Sequence, residues 1–483
     1  MKDHRTHSPV PNTVLDTLKS VVGPQGFLET DGDTEPYRRS WRDGYVGRTP
    51  LVLRPKTTDE VSRLVKICAD ARVPIVPQGG NTGLTYGGQP HEDASEVVIS
   101  TARMTAIRSL DTANDTITVE SGVILKQVQD GASAANRLFP LSLGAEGSCQ
   151  IGGNISTNAG GVQVLRYGNM RSLVLGLEAV LPDGRVWNGL RGLRKDNTGY
   201  DLKQLLIGGE GTLGIITAAV LRLFPQPTAT ETAWIAVESP AAAVALLAHM
   251  KATLGESISA FELIRRSIVD FLLQSVPGHS DPMSEIYPWY VLMDVSNQGA
   301  PGSLAGPLCD ALGGALEQGI VMDAIIASSG AQAKKLWKMR EDFAEAQKAA
   351  GGTISHDISV PVSKIAAFVD TTDAALERAY PGIRHCSFGH VGDGNLHYNP
   401  VRPQNWAPER YAIERANINR IVHDQVMACD GSISAEHGIG RMRLAENLHY
   451  KSQVELDMMR AIKGALDPHN IMNPHKVFMP AKG

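Results

Sequence analysis

Glycine is concentrated in three loops within the first 214 residues, and these loops constrain the possible folds of the chain most strongly. They span residues 77–84, 144–161 and 208–214, in a chain with 48 glycines among 483 residues. Because glycine adopts positive φ readily and has no side chain, such loops bring main-chain N–H groups close to a ligand. One loop alone is often only a tight turn. Three together predict a groove that holds a phosphate-containing ligand.

The third loop matches the dinucleotide-binding pattern G-x-G-x-x-G at Gly209, Gly211 and Gly214. This pattern indicates a Rossmann fold only where it leaves a strand and opens a helix. Here the following residues, 215–220, read Ile-Ile-Thr-Ala-Ala-Val, which favours a strand. We therefore exclude a Rossmann fold for this segment.

A change in sequence pattern after Pro225 and Pro227 predicts a domain boundary, and a chain of 483 residues suits two or three domains. Beyond the prolines, strand candidates alternate with longer helices, which predicts an α+β domain whose sheet is covered by helices. Two finer expectations concern single segments. Residues 331–350 are expected to form one long helix, and residues 143–161 show little helical or strand periodicity.

The charge and cysteine content narrow the class of protein. A formal net charge of −5 and a pI near 6.3 disfavour nucleic acid and anionic membranes as partners. The five cysteines are scattered and form no C-x-x-C pair, which indicates a reducing compartment. No apolar run approaches the 18 residues of a membrane span. We expect a cytoplasmic enzyme acting on a small molecule; a mature organelle protein would show the same features.

Two short segments near the C-terminus carry candidate metal ligands. His390 and His397 stand seven positions apart around a Gly-Asp-Gly turn, and Glu436 and His437 are consecutive. A single histidine is usually a surface or core residue, but imidazoles combined with a carboxylate suit zinc and other first-row metals. Two histidines and one glutamate leave coordination positions open. The set therefore predicts a catalytic metal site rather than a closed structural one.

The sequences of the glycine loops and their order along the chain resemble those of the FAD-binding fold of the vanillyl-alcohol oxidase and p-cresol methylhydroxylase type. The resemblance covers nearly the whole chain. It implies an FAD-binding domain at residues 1–227, an α+β substrate domain with an antiparallel sheet at 228–435, and a segment at 436–483 that returns to the FAD domain. Members with covalently bound FAD have a histidine where this chain has Asn81, so we expect noncovalent FAD. The residues expected to contact FAD are Pro77, Gln78, Gly79, Gly80, Asn81, Thr82, Gly83, Leu84, Gly144, Ala145, Ser148, Gly152, Gly153, Asn154, Thr157, Asn158, Gly160, Gly161, Glu210, Gly211, Gly214, Ile215, Ile216 and Asn473.

The two C-terminal segments resemble the D-2-hydroxy-acid dehydrogenase branch of that family. The resemblance implies oxidation of a D-2-hydroxy acid to the 2-oxo acid with hydride transfer to FAD. The residues it assigns are the ligands His390, His397 and Glu436, the base His437, and the substrate-binding residues Arg340, Asn399 and His437. An arginine suits a carboxylate because its planar fork binds both oxygens.

The substrate is less sharply defined. Relatives specific for D-2-hydroxyglutarate have a threonine and a lysine where this chain has Ala344 and Ser355. Loss of two polar partners for a distal carboxylate changes substrate ranking strongly. D-2-hydroxyglutarate is the first expectation, and D-lactate and D-malate are close candidates.

Two other functions fit parts of the sequence. A metal-dependent hydrolase would use the same ligands to activate water, but it leaves the glycine loops unexplained and the chain has no H-E-x-x-H motif. Another FAD-linked alcohol oxidase is the second alternative. The expected electron acceptor is an electron-transferring flavoprotein or a quinone, and a homodimer is the expected oligomer.

Overall fold

The computed structural model describes residues 9–40 and 44–479, so residues 1–8, 41–43 and 480–483 of the predicted domains lie outside the description. The chain divides into two compact units. Unit 1 combines the chain up to Gly160 with Asn169–Pro225 and the chain from His437 onward, and unit 2 combines Gly161–Gly168 with Gln226–Glu436. The predicted return of the C-terminal segment to the first domain is confirmed. The exact boundaries at 227/228 and 435/436 stay predictions.

The helices of the described residues are α1 Asn12–Val22, α2 Asp31–Arg38, α3 Thr58–Ala71, α4 Leu125–Ala134, α5 Ile151–Ser156, α6 Val164–Tyr167, α7 Met170–Leu173, α8 Lys203–Leu206, α9 Pro240–Leu254, α10 Arg266–Ser275, α11 Ala305–Glu317, α12 Gly330–Glu341, α13 Phe343–Ala349, α14 Ile365–Ala379, α15 Pro408–Ile413, α16 Arg415–Ala428, α17 Leu444–Tyr450 and α18 Gln453–Leu466. Short 3₁₀ turns lie at Gly255–Ser257 and Val362–Lys364.

The strands of the described residues are β1 Phe27–Leu28, β2 Val52–Leu53, β3 Ile75–Gln78, β4 Val97–Ser100, β5 Ile107–Asp111, β6 Thr116–Glu120, β7 Arg137–Leu138, β8 Val174–Val180, β9 Val186–Gly189, β10 Ile215–Arg222, β11 Phe224–Pro225, β12 Ala229–Val237, β13 Ile258–Arg265, β14 Trp289–Asn297, β15 Asp323–Ile326, β16 His356–Ser359, β17 Ser387–His390 and β18 Asn395–Tyr398.

Unit 1 contains a four-stranded sheet, β1-β2-β4-β3, a five-stranded antiparallel sheet, β5-β6-β10-β8-β9, and the short pair β11-β7. Helix α3 begins where Thr57 accepts a hydrogen bond from the Glu60 amide at 3.1 Å, and it buries Leu64 and Val65 against the first sheet. The C-terminal segment joins that sheet, because Met472 forms a parallel bridge with Ile75.

Unit 2 is built on a seven-stranded sheet, β15-β12-β14-β13-β17-β18-β16, in which every neighbouring pair is antiparallel. Central strands such as β14 are buried along almost their whole length, which explains their apolar sequence. Phe343, Phe388 and Tyr290 belong to the core cluster between this sheet and helices α10, α12 and α13. The predicted α+β class with an antiparallel sheet is confirmed.

Three local expectations have clear outcomes. Residues 215–222 form β10 directly after the third glycine loop, so the exclusion of a Rossmann helix there is confirmed. One continuous helix over 331–350 is wrong, because α12 and α13 meet at Asp342, whose carboxylate binds His279 at 2.9 Å. The irregular segment 143–161 contains helix α5, in which Ile151 and Ile155 are buried one turn apart. No helix of the described residues meets the length and hydropathy needed to span a membrane.

Candidate active site

Unit 1 contains a pocket, open to solvent, that is lined largely by the glycine loops. Of the residues predicted to contact FAD, the pocket brings together Pro77, Gln78, Gly79, Gly80, Asn81, Thr82, Gly83, Gly152, Gly153, Asn154, Thr157, Glu210, Gly211, Gly214, Ile215 and Ile216. His437, the predicted base, also lines it.

The other predicted FAD contacts do not line this pocket: Leu84, Gly144, Ala145, Ser148, Asn158, Gly160, Gly161 and Asn473. Gly144 and Ser148 are exposed, and Gly161 belongs to unit 2. The Asn158 side chain accepts a hydrogen bond from the Arg171 amide at 2.9 Å. Asn473 donates to the Gly87 carbonyl at 3.0 Å and the Glu210 carbonyl at 2.7 Å, so its amide group supports the pocket wall.

Polar atoms in the pocket wall are suited to a hydrogen-bonding ligand. The side-chain oxygens of Gln78, Gln89 and Asn154 are buried and accept no hydrogen bond from any residue that the structure describes. A buried oxygen without a donor costs about 1–3 kcal/mol, and a ligand with N–H or O–H groups removes that cost. FAD carries such groups on its ring, ribityl chain and adenosine. The pocket chemistry therefore fits FAD.

Glu210 holds the loop that begins at His437. Its carboxylate oxygens accept hydrogen bonds from the Ile439 amide at 2.8 Å and the Gly440 amide at 2.7 Å. Burial raises the pKa of Glu210, and these two amides oppose the rise without cancelling it. Thr85 donates to the His437 carbonyl at 3.2 Å. His437 is thus carried by a loop whose main chain is anchored on both sides of Gly438.

Two of the three predicted metal ligands, His390 and His397, lie on one β-hairpin of unit 2. His390 ends β17 and His397 lies in β18, with Phe388 paired directly opposite His397. The turn requires glycine at Gly394, where φ is +85° and a Cβ would lie 2.1 Å from the Val360 carbonyl oxygen.

Glu436 completes the cluster. One ligand atom from each of His390, His397 and Glu436 lies within 4.8 Å of the other two. The separation between His390 Nε2 and Glu436 Oε1 is 3.9 Å. Bonds of about 2.0–2.2 Å in a tetrahedral zinc site place ligand atoms roughly 3.3–3.6 Å apart, so this pair would approach by a few tenths of an ångström on sharing an ion.

Two further carboxylates support the hairpin. Asp357 lies opposite His397 in the pairing of β16 and β18, and its Oδ1 is 4.0 Å from His397 Nδ1. Asp357 also accepts hydrogen bonds from Asn395 Nδ2 and from the Glu436 amide, both at 2.9 Å. Glu262, opposite His390 across β13 and β17, contacts His390 Nδ1. Both carboxylates are buried.

Charged groups of the cluster shift one another's pKa values. Burial raises the pKa of Glu436 to about 7 although His390 lowers it, and the neighbouring carboxylates of Asp357 and Asp393 add to the rise. Burial alone would raise the pKa of Glu262, but His390 and Arg340 lower it to about 2. The carboxylates gathered around Glu436 therefore repel one another, and a bound cation relieves that repulsion.

The two predicted substrate-binding residues in unit 2, Arg340 and Asn399, differ in the hydrogen bonds that they make within the protein. Arg340 donates from Nε to Glu262 at 2.6 Å, and its guanidinium stacks on Phe388 at 4.6 Å. Within the described residues, neither terminal nitrogen of Arg340 is hydrogen-bonded. Asn399 is buried. Its side-chain oxygen accepts a hydrogen bond from the His356 amide at 2.9 Å, and its side-chain nitrogen donates to the Gln347 side-chain oxygen at 3.4 Å.

Sequence reasoning missed several residues of these sites. Gln89, Gln150 and Thr85 line the pocket between or beside the glycine loops. Glu262 and Asp357 support the metal-ligand hairpin. The signal for Glu262 was a lone acidic residue within the apolar strand Ile-Ser-Ala-Phe-Glu-Leu-Ile-Arg, where an unpaired charge is costly.

Two family models match the chain. The FAD binding domain matches residues 49–189, and the C-terminal domain of FAD linked oxidases matches residues 226–477, which is more than half of the chain. The chain belongs to the family of FAD-linked oxidases, and FAD is its cofactor. The family predicted from the sequence is therefore confirmed.

Similar proteins agree with this assignment. The mitochondrial D-2-hydroxyglutarate dehydrogenase of Bos taurus is 38% identical over 474 residues, covering 98% of this chain and 84% of the relative. A putative mitochondrial D-lactate dehydrogenase of Schizosaccharomyces pombe is 36% identical over 481 residues, covering 96% and 89%. The solved structure of p-cresol methylhydroxylase with substrate bound is 17% identical with a TM-score of 0.76, covering 97% of each chain. This structural likeness confirms the predicted fold.

Proposed function

We propose that this enzyme oxidises a D-2-hydroxy acid to the 2-oxo acid, using noncovalent FAD and a divalent cation, zinc, held by His390, His397 and Glu436. The observation that carries the proposal is the cluster of these three ligand atoms in the same unit as Arg340, whose terminal nitrogens are unengaged by described residues. An α-hydroxy acid offers the two groups that such a site recognises, a hydroxyl and a carboxylate. The names of the relatives support the same substrate class.

Noncovalent attachment of FAD is supported by Asn81. Its side chain donates to the carbonyls of Pro36 at 2.8 Å and Arg39 at 3.1 Å, and it accepts a hydrogen bond from Gln89 at 2.6 Å. An amide is a poor nucleophile, and this one is held by three hydrogen bonds. It therefore offers no atom for a bond to the flavin.

The donor set supports a divalent cation. Two imidazoles and one carboxylate match catalytic zinc sites, in which a further position stays open for a substrate oxygen. The contact of Glu262 with His390 Nδ1 is the outer-shell interaction common around metal-binding histidines. A bound cation would supply a Lewis acid that lowers the pKa of the substrate hydroxyl.

The protein's own groups then have separate tasks. The Nη1 and Nη2 groups of Arg340 bind the substrate carboxylate through both oxygens, and Asn399 lies beside the substrate. An imidazole nitrogen of His437 takes the hydroxyl proton, a role that suits a group whose ordinary pKa is near 6.5. His437 follows Glu436 directly in the chain, so the base is one peptide bond from a ligand. FAD supplies the hydride acceptor for the same carbon when bound.

Among substrates we favour D-2-hydroxyglutarate, with D-lactate and D-malate as close candidates. Ala344 is exposed at the start of α13, and Ser355 is partly buried with its hydroxyl 3.2 Å from that of Thr353. Neither residue offers a positive charge to a second carboxylate. This favours either a different anchor for that carboxylate or a substrate without one.

The remaining assignments complete the proposal. We expect electrons to leave the flavin for an electron-transferring flavoprotein or a quinone, and we expect a homodimer. The cytoplasmic location stays a prediction, and two of the similar proteins are named as mitochondrial.

The proposal is tested with a panel of D- and L-2-hydroxy acids and an artificial electron acceptor. The D-isomers are expected to bleach the bound flavin anaerobically, and removal of zinc with a chelator should abolish turnover until zinc is restored. The variant His437→Ala should retain yellow, FAD-bound protein and lose turnover by about 10²–10⁴-fold, the contribution of general base catalysis. Faster bleaching by L-isomers, or full activity of His437→Ala, contradicts the assignment.

A further inference from the structure

Glu262 occupies a position in the sheet that faces the metal-ligand hairpin. It lies in β13, between β14 and β17, where it pairs with Leu292 on one side and His390 on the other. Directly opposed residues of an antiparallel pair project to the same face, about 4.5–5.5 Å apart at Cβ. The sheet register therefore presents the Glu262 side chain to His390. Its side chain has 0% exposure, so water does not compete for the carboxylate.

The two oxygens of Glu262 have different partners. Oε1 contacts His390 Nδ1, and Oε2 accepts a hydrogen bond from Arg340 Nε at 2.6 Å. No other hydrogen bond to this carboxylate comes from the described residues. A single buried carboxylate thus joins a predicted metal ligand to the predicted substrate-binding arginine.

The contact at Nδ1 determines what His390 can bind. A carboxylate beside Nδ1 stabilises the proton on that nitrogen, which leaves the lone pair of Nε2 available. Nε2 is the atom that lies 3.9 Å from Glu436 Oε1. Glu262 therefore turns the basic nitrogen of His390 toward the other ligands.

The contact at Nε determines how Arg340 is presented. Binding through Nε holds the plane of the guanidinium, which also stacks on Phe388 at 4.6 Å. The Nη1 and Nη2 groups then form a free hydrogen-bonding edge, which can pair with a carboxylate in a two-point contact.

We propose that Glu262 is a positioning residue that orients His390 toward the cation and Arg340 toward the substrate carboxylate at the same time. The inference rests on the proposed function, because it takes the cation site and the role of Arg340 from it. Cation binding and carboxylate binding share one buried anchor, so a change at Glu262 alters both together. Outer-shell partners of metal-binding histidines commonly contribute 10–100-fold to metal affinity.

The test uses the FAD-loaded protein with three changes, Glu262→Gln, Glu262→Asp and the control Glu256→Gln, an exposed glutamate of the same unit. Zinc affinity is measured by competition with a chromophoric chelator. Glu262→Gln is expected to weaken zinc binding about 10–100-fold and to raise the KM for the hydroxy acid, with the flavin spectrum unchanged. Glu256→Gln should match the wild type in both measurements.

Glu262→Asp keeps the charge that balances Arg340 and His390 but shortens the side chain by one methylene group. It is therefore the variant to use if Glu262→Gln does not fold. A shorter carboxylate cannot hold both partners, so zinc affinity or KM should still change about tenfold or more. A folded variant with wild-type zinc affinity and wild-type KM overturns the positioning role, because a purely structural glutamate would affect only stability.

The failure of this inference is distinguishable from failure of the proposed function. If the wild type binds zinc and oxidises D-2-hydroxy acids but the Glu262 variants do so equally well, only the role of Glu262 is lost. If the wild type binds no zinc, cobalt or manganese, Glu262 has no cation ligand to orient and the inference is overturned with the metal site. If no hydroxy acid bleaches the wild-type flavin, the proposed function itself fails.

Discussion

Glu210 in unit 1 and Glu262 in unit 2 are both buried glutamates that support a loop or strand carrying a predicted functional residue. Glu210 binds two main-chain N–H groups, those of Ile439 and Gly440, and its pKa is raised by burial. Glu262 binds the side chains of His390 and Arg340, and its pKa is lowered to about 2 although it is the more deeply buried of the two. The pKa of a buried glutamate is therefore raised at Glu210 in unit 1 and lowered at Glu262 in unit 2.

The main difference lies in the charge of the groups that bind each carboxylate directly, while Arg443 and Lys476 act on Glu210 only as smaller, longer-range charges. Amide N–H groups are neutral, so they recover only part of the hydration that a buried carboxylate loses. A guanidinium and an imidazole carry or share positive charge and favour the ionised carboxylate. Glu210 is thus suited to hold the shape of the His437 loop, whereas Glu262 is suited to balance charge beside the proposed cation site.

The largest expected effect is on stability when each carboxylate is removed. Glu262→Ala should lower the unfolding free energy of the metal-free protein by about 3–5 kcal/mol, because it leaves buried His390 and part-buried Arg340 without their counter-charge. Glu210→Ala should lower it by about 1–3 kcal/mol, because it leaves two neutral N–H donors unpaired. Urea unfolding followed by tryptophan fluorescence measures both changes.

The exposed residue Glu256 provides the control for this pair. Glu256→Ala should stay within about 0.5 kcal/mol of the wild type. Equal losses for Glu210→Ala and Glu262→Ala would mean that partner charge does not distinguish the two glutamates.

An intermediate effect is expected from adding a methyl group beside each site. At Gly438, φ is +76° and a Cβ would lie 2.7 Å from Glu210 Oε1, so Gly438→Ala meets a fixed carboxylate in a conformation unfavourable for alanine. At Gly392, a Cβ would lie 2.7 Å from Leu165 Cδ2, the movable end of a side chain. We expect a stability loss of about 1–2 kcal/mol for Gly438→Ala and a smaller loss for Gly392→Ala.

Turnover measurements distinguish the two glycine variants further. Gly438→Ala should also reduce turnover of the hydroxy acid, since it displaces the loop next to His437, and FAD should stay bound. A Gly392→Ala protein that loses more stability than Gly438→Ala would show that the loop held by Glu210 adapts more easily than the packing around Leu165.

The smallest expected effect is a pH dependence specific to Glu210. A carboxyl group whose pKa is raised by folding holds its proton to higher pH in the folded state than in the unfolded chain. Its contribution to folding stability is therefore fully present below the ordinary pKa of 4.5 and is lost as pH rises through the folded pKa. The stability of the wild type relative to Glu210→Gln should therefore fall as pH rises above about 4.5. One proton limits the slope to about 1.4 kcal/mol per pH unit.

This dependence is measured by urea unfolding of both proteins between about pH 4 and pH 7. Glu256→Gln should run parallel to the wild type throughout. A relative stability that rises with pH would mean that the amides of Ile439 and Gly440 lower the pKa of Glu210 below that of the unfolded chain, and the contrast with Glu262 would disappear.

Local patterns in the sequence determined much of this protein. The glycine loops predicted a ligand pocket because glycine has no side chain, which lets the backbone approach a ligand closely. His390 and His397 were recognisable because a short Gly-Asp-Gly turn returns the chain within a few residues, and Glu436 and His437 are neighbours in the chain. The strand after Gly214 excluded the Rossmann fold in the same local way.

Only the tertiary structure decided which distant groups support those residues. Glu262 meets His390 through the register of β13 and β17, and Asp357 meets His397 through that of β16 and β18. Which distant strands become neighbours depends on the packing of the whole sheet, because β13 and β16 lie far along the chain from the hairpin that they flank. The helix predicted over 331–350 is divided at Asp342, whose carboxylate contacts His279 from a distant part of the chain.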